Sequence, residues 1–180
     1  MKDDLKRMVS TALGIALFTV LTLCLQVPVF QNYYLCLGYI AMAVYCYSVG
    51  TLSGTVVGVL GVVVYCLLTS GLRGMPGWAL GNVAIGLGLG AAFAGTRSVK
   101  SAPARYGLRI AAIVLSTAVG ILGIKSLADS IIRSQPFLVR VGMNIYAFVA
   151  DAAVLILSLP ICEKLDSQIN TSPEHPSILL

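Results

Sequence analysis

Between Arg7 and Arg73 the chain runs for 65 residues without one Asp, Glu, Lys or Arg. A soluble domain needs charged surface within such an interval, because ordinary domains are about 25% charged. Here 11% of the 180 residues are charged and 58% are hydrophobic. That balance excludes a nucleic-acid-binding domain, a secreted disulfide scaffold and a disordered chain. It leaves an all-α, polytopic membrane protein. A spanning helix takes about 20 apolar residues, so the chain is expected to hold at most six or seven spans, with no room for a second, soluble domain.

Six apolar runs are visible, roughly 8–27, 34–50, 51–69, 78–94, 110–127 and 137–161. They are continuous rather than alternating, and lipid requires each backbone to satisfy its own hydrogen bonds, so the runs are expected to be helices. The expectation is one integral membrane domain over residues 1–180, a bundle of six transmembrane helices. The weakest boundary lies between the second and third runs, where the connection carries no charge; five spans result if 34–69 divides differently. Residues 97–109 form a basic loop in this reading, and Asp129 falls in an outer loop.

Lys and Arg set the orientation. With both ends in the cytoplasm, Lys2, Lys6, Arg7, Arg97, Lys100, Arg105, Arg109 and Lys164 lie inside. Arg73, Lys125, Arg133 and Arg140 lie outside. The net charge of +5 is therefore a topology signal and not a nucleic-acid footprint. The five cysteines form no C-x-x-C pair and read as small buried hydrophobes. The single histidine, His175, sits in a polar tail.

That inventory leaves little room for catalysis. No span holds a histidine for a serine nucleophile. A metal-dependent phosphotransferase needs several intramembrane acids, and Asp151 alone qualifies. An aspartic peptidase needs two carboxylates, and Asp129 is too shallow to join Asp151. The expectation is no enzyme, no cofactor and no metal.

Small residues suggest helix packing. Gly50, Gly54, Gly58 and Gly61 fall on one face, as do Gly86 and Gly90. Such faces let two backbones approach closely, and packing within this chain accounts for them. Ala12, Gly14 and Ala16 form a second strip on the first helix, suited to another helix of this chain or to a partner.

Polar residues at membrane depth are costly and tend to mark function. Asp151 lies between two alanines inside the sixth run. Arg140, Asn144 and Asp151 fall on one helix face at about 100° per residue. They either line a polar pocket or lock the sixth helix to a neighbour; for Arg140, interfacial snorkelling is a third reading. The outer loops carry Gln31-Asn-Tyr-Tyr34 and Ser70-Gly-Leu-Arg-Gly-Met-Pro-Gly-Trp78, with Asn82 one turn further. Trp78, Tyr33 and Tyr34 are either interfacial anchors or a platform for a flat ligand. A self-sufficient small transporter would need paired ionisable groups for ion coupling. A ligand-free scaffold leaves the polar stripe without a purpose.

Across its whole length the chain resembles the S components, the substrate-binding membrane subunits of energy-coupling factor (ECF) vitamin transporters. Size, six spans and cytoplasmic ends agree, and Ala12-Leu-Gly-Ile-Ala16 is similar to the family's Ala-x-x-x-Ala docking motif. The stretch from Leu37-Gly-Tyr39 to Gly77-Trp-Ala-Leu-Gly-Asn82 is similar in texture. The resemblance implies a vitamin or precursor bound at the outer side, then association with a membrane coupling subunit and two cytoplasmic ATPases. ATP hydrolysis would topple the subunit and release ligand inside a bacterial cell. The predicted topology brings Tyr33, Tyr34, Arg73, Trp78, Asn82, Arg140, Asn144 and Asp151 toward one side, where they are expected to surround the ligand, and the docking motif places Ala12 and Ala16, with Gly14 between them, at the docking face. The aromatic residues favour a ring-containing vitamin over an aliphatic one.

Overall fold

The computed structural model describes residues 2–24, 27–30, 33–69 and 71–171. The elements in chain order are α1 (Lys2–Cys24), β1 (Val27–Phe30), β2 (Tyr33–Leu35), α2 (Gly38–Ser48), α3 (Thr51–Leu68) and α4 (Met75–Thr96). Then come α5 (Ala102–Thr117), a π-helix (Ala118–Lys125), α6 (Ser126–Arg133) and α7 (Phe137–Thr171). Among the described residues, five stretches are long and apolar enough to cross a membrane: 4–24, 51–68, 75–96, 102–133 and 137–165. The chain is a polytopic helical bundle, with one small antiparallel hairpin, β1–β2, between α1 and α2.

The expected second span, 34–50, is where the structure differs most. Its first residues belong to β2 and the turn after it, leaving α2 with 11 residues. At 1.5 Å per residue that is about 16 Å, half the hydrocarbon thickness. Shortness is tolerated because α2 is shielded. It touches α1, α3, α4 and α7, and Tyr39, Ala41, Met42, Ala43 and Cys46 are all buried. A helix apolar on every side belongs in a core; α2 is the centre of the bundle and the long helices surround it.

The glycine faces serve this packing. A Cβ on Gly54 would stand 2.7 Å from the Cys46 Cα, and one on Gly86 would stand 2.8 Å from the Thr55 Cα. The chain turns between α2 and α3 at Gly50, whose φ of 127° a side chain would oppose. That uncharged turn explains why the boundary carries so little sequence signal. Gly81 and Gly120 make a third crossing. A Cβ on either would lie 2.7 Å from the other's carbonyl oxygen, so α4 and the π-helix meet backbone to backbone.

The fifth segment is longer than the expected 110–127. Pro103 sits in the first turn of α5, where its missing N–H costs nothing. The helix therefore starts at Ala102 and carries Arg109 into the bundle, which corrects its placement in a loop. At the other end the helix continues through Asp129 to Arg133 and closes on Ser134 in the left-handed region, φ 52°. Asp129 is thus buried inside the helical bundle and is not an outer-loop residue. All five cysteines are free; Cys24 is exposed and the other four are buried. His175 lies outside the described residues.

Candidate ligand site

A cavity of about 530 Å³ opens where the C-terminal turn of α1, the end of β2 and the turn after it, the end of α3, the α3–α4 loop, the start of α4, the π-helix and α7 converge. These parts meet at the end that the Lys and Arg distribution predicts to face outward. Trp78, Tyr65, Cys36 and Ile121 supply apolar wall, and Thr22, Thr69, Lys125 and Asp151 supply polar groups. The Trp78 and Tyr65 rings meet edge to face, centroids 5.6 Å apart. An apolar lining with few polar groups is the usual form of a small-molecule site.

Trp78 is in place because α4 begins immediately before it, at Met75, with Pro76 in the first turn. Its indole Nε1 donates to the Tyr39 hydroxyl at 3.0 Å. Tyr39 in turn donates to Asn82 Oδ1 at 2.7 Å, and Asn82 Nδ2 donates to the Gly58 carbonyl at 2.8 Å. Asn82 is fully buried and lies behind the cavity wall, not on it.

Asp151 reaches the cavity from the middle of α7, beside the Tyr39 hydroxyl and within the field of Lys125. Lys125 ends the π-helix, whose wider turn is rare and often found at functional sites. Its ammonium donates to Asn144 Oδ1 at 2.6 Å and lies 3.4 Å from Asp129 Oδ2. Arg140 Nη2 approaches the same Asp129 oxygen at 3.2 Å. Asn144 Nδ2 donates to the Ser126 hydroxyl at 2.9 Å. Two cations and two carboxylates thus balance within the outer half of the bundle. A buried charge needs such partners, since leaving one alone costs several kcal/mol, about 3–5 on breaking a pair.

The expected site residues therefore divide. Trp78 and Asp151 line the cavity. Arg140 and Asn144 stand behind Lys125, and Arg140 is buried in an ion pair, which removes the snorkelling reading. Arg73 is exposed on the α3–α4 loop and does not line the cavity. The backbone of Tyr33 and Tyr34 forms β2, and their side chains lie outside what the structure describes. Lys125, Tyr65 and Tyr39 were missed as site residues. Lys125 looked like an ordinary helix-end cation, and no local pattern marks a π-helix.

The opposite end is built differently. Arg109 is buried between Tyr47 and Phe93, its guanidinium carbon 5.3 and 5.5 Å from the two ring centroids. Its Nε donates to Thr96 and its Nη1 to Glu163, both at 2.9 Å. Among the described residues no three or more His, Cys, Asp or Glu side chains converge as a metal site.

The small-residue strip on α1 also divides. Ala12 and Ala16 are exposed, flanked by exposed Leu13 and Leu17. Gly14 faces inward, where a Cβ would stand 2.7 Å from the Tyr45 ring and from a Val57 methyl. Gly14 is an internal packing position, which corrects its assignment to the outward strip.

No curated protein matches the chain. A family model described as ECF-type riboflavin transporter, S component, matches residues 2–167, nearly the full length. With that match and five membrane-length helices, the chain belongs to the ECF-type riboflavin transporter S component family, multi-pass substrate-binding subunits of the bacterial cell membrane.

Proposed function

We propose that the outer cavity binds riboflavin or a close flavin relative and that the chain delivers it inward as part of an ECF importer. The observation that carries this reading is a cavity of about 530 Å³ with an indole wall and a carboxylate and ammonium on other sides. A flavin is a flat ring whose one edge alternates carbonyls and an N–H. Trp78 offers that ring a face, Asp151 accepts from a donor, and Lys125 donates to a carbonyl. Tyr33 and Tyr34 belong to the ligand-binding set in this reading. Arg140, Asn144 and Asn82 hold the contacting residues, and Arg73 serves the loop surface. The family's riboflavin designation supports the flavin assignment.

A membrane coupling subunit and two cytoplasmic ATPases complete the importer, and nucleotide hydrolysis belongs to them. The coupling subunit docks where Ala12 and Ala16 leave α1 shallow, through close dispersion contacts. An Ala12→Trp variant keeps flavin binding but loses copurification with the coupling subunit and ATP-dependent uptake. Gly14→Leu drives a side chain into Tyr45 and Val57 and loses folding and binding together. Normal uptake by Ala12→Trp and an Ala16→Trp counterpart removes the docking role.

The experiment that tests the ligand is mass spectrometry of protein purified in detergent from riboflavin-replete cells, followed by affinity measurements on Trp78→Phe and Asn144→Ala. Copurified flavin and weakened binding in both variants are expected. Unchanged affinity in both overturns the site. A self-sufficient transporter would instead accumulate flavin in vesicles under an ion gradient without the ATPases.

A further inference from the structure

The hydrogen bonds behind Trp78 have a fixed direction. The Gly58 carbonyl can only accept, so the Asn82 atom facing it at 2.8 Å is the amide nitrogen. Asn82 Oδ1 therefore faces Tyr39, and the hydroxyl proton lies in the 2.7 Å contact between them. The indole N–H can only donate, and its 3.0 Å contact falls on the lone pair that remains on the Tyr39 oxygen. Donor and acceptor are therefore assigned in each of the three contacts of this hydrogen-bond chain.

We propose that Tyr39 is the positioning residue of the ligand site: its hydroxyl locks the Trp78 indole against α2, so that the ring meets the ligand in one fixed orientation. Three features carry it. Tyr39 is fully buried and does not line the cavity, so it acts through Trp78 and Asp151 and not by touching ligand. The Tyr39 hydroxyl also stands beside the Asp151 carboxylate, so one oxygen ties the indole to the polar wall of the cavity. The chain is also anchored at both ends, on α4 at Trp78 and on α3 at Gly58, so the indole cannot swing without leaving a buried N–H unmatched. This inference rests on the ligand reading for its effect on affinity but not for its geometry.

The test is Tyr39→Phe, which keeps the ring and removes the hydroxyl. Trp78 is the chain's single tryptophan, so the N–H-sensitive indole band in ultraviolet resonance Raman reports this one bond. In ligand-free Tyr39→Phe the band moves to the position of an indole without a partner, and riboflavin affinity falls about tenfold, the loss expected for one buried hydrogen bond and a loosened ring. An unchanged band, or a moved band with affinity within twofold of the original, overturns the proposal. A purely structural tyrosine would lower thermal stability and leave the band and affinity of the folded fraction alone. If the variant does not fold, the unaltered protein still decides: its band must show a hydrogen-bonded indole N–H, and a free one contradicts the geometry. Failure of the unaltered protein to bind riboflavin counts against the ligand reading, while the Raman comparison still rules on Tyr39.

Discussion

Each end of the bundle buries a cation against a carboxylate, and the cavity of about 530 Å³ lies at the outer end. At the inner end, Arg109 is enclosed by two rings, a hydroxyl and Glu163, and its guanidinium is used up by the protein. At the outer end, Lys125 is held by Asn144 and Asp129 yet still forms part of a cavity wall, which Asp151 also lines. A guanidinium is a flat fork that fits between rings and carboxylate. An ammonium is a point donor that its partners need not enclose. The inner site is a clamp joining α4, α5 and α7, and the outer site is a cavity held in shape by the same kind of ion pairing.

That contrast can be broken from either side. Asp151→Ala removes the carboxylate that faces the cavity, and we expect the largest effect: flavin affinity falls about 100-fold, near 2.7 kcal/mol. Thermal stability stays close to the original, because a costly buried charge goes with it. Isothermal titration together with a melting curve checks both halves. Lys125→Met removes one ligand donor but strands Asp129 with Arg140 alone, so both affinity and stability fall, affinity about tenfold. Arg109→Met shows the opposite pattern. The melting midpoint drops, reflecting a loss of about 1–2 kcal/mol given that interhelical polar contacts in membranes rarely exceed this, while the folded fraction binds flavin normally. A matched loss of affinity in Arg109→Met would show that the two ends are not separate. Arg73→Ala should do least, an affinity change under about twofold, since exposed charges contribute little.

How much of this could be read from the chain depends on whether the signal is local. The long helices are legible because each is an apolar run ending in charge or proline. Asp151 is legible because a carboxylate between alanines in such a run has few reasons to exist. Arg109 and Asp129 were misplaced for a physical reason: each lies in a charged margin that a helix extended into, and the partner that justifies burial is remote, Glu163 for Arg109 and Arg140 for Asp129. Asn82 could be recognised as a polar residue near the outer end. Its place behind Tyr39, 43 residues away, could not be read without the fold. The π-helix has no sequence pattern of its own, so the residue it delivers to the cavity, Lys125, looked like any helix-end cation.

The central claim is that the outer cavity, with Trp78 on one wall and Asp151 on another, takes up a flavin. The most direct measurement is a titration of ligand-free purified protein with riboflavin while following Trp78 emission, repeated on Asp151→Ala. The account predicts saturable quenching at one flavin per chain, shifted to about 100-fold higher concentration in the variant. Quenching that never saturates, or a binding curve that Asp151→Ala leaves in place, would contradict it.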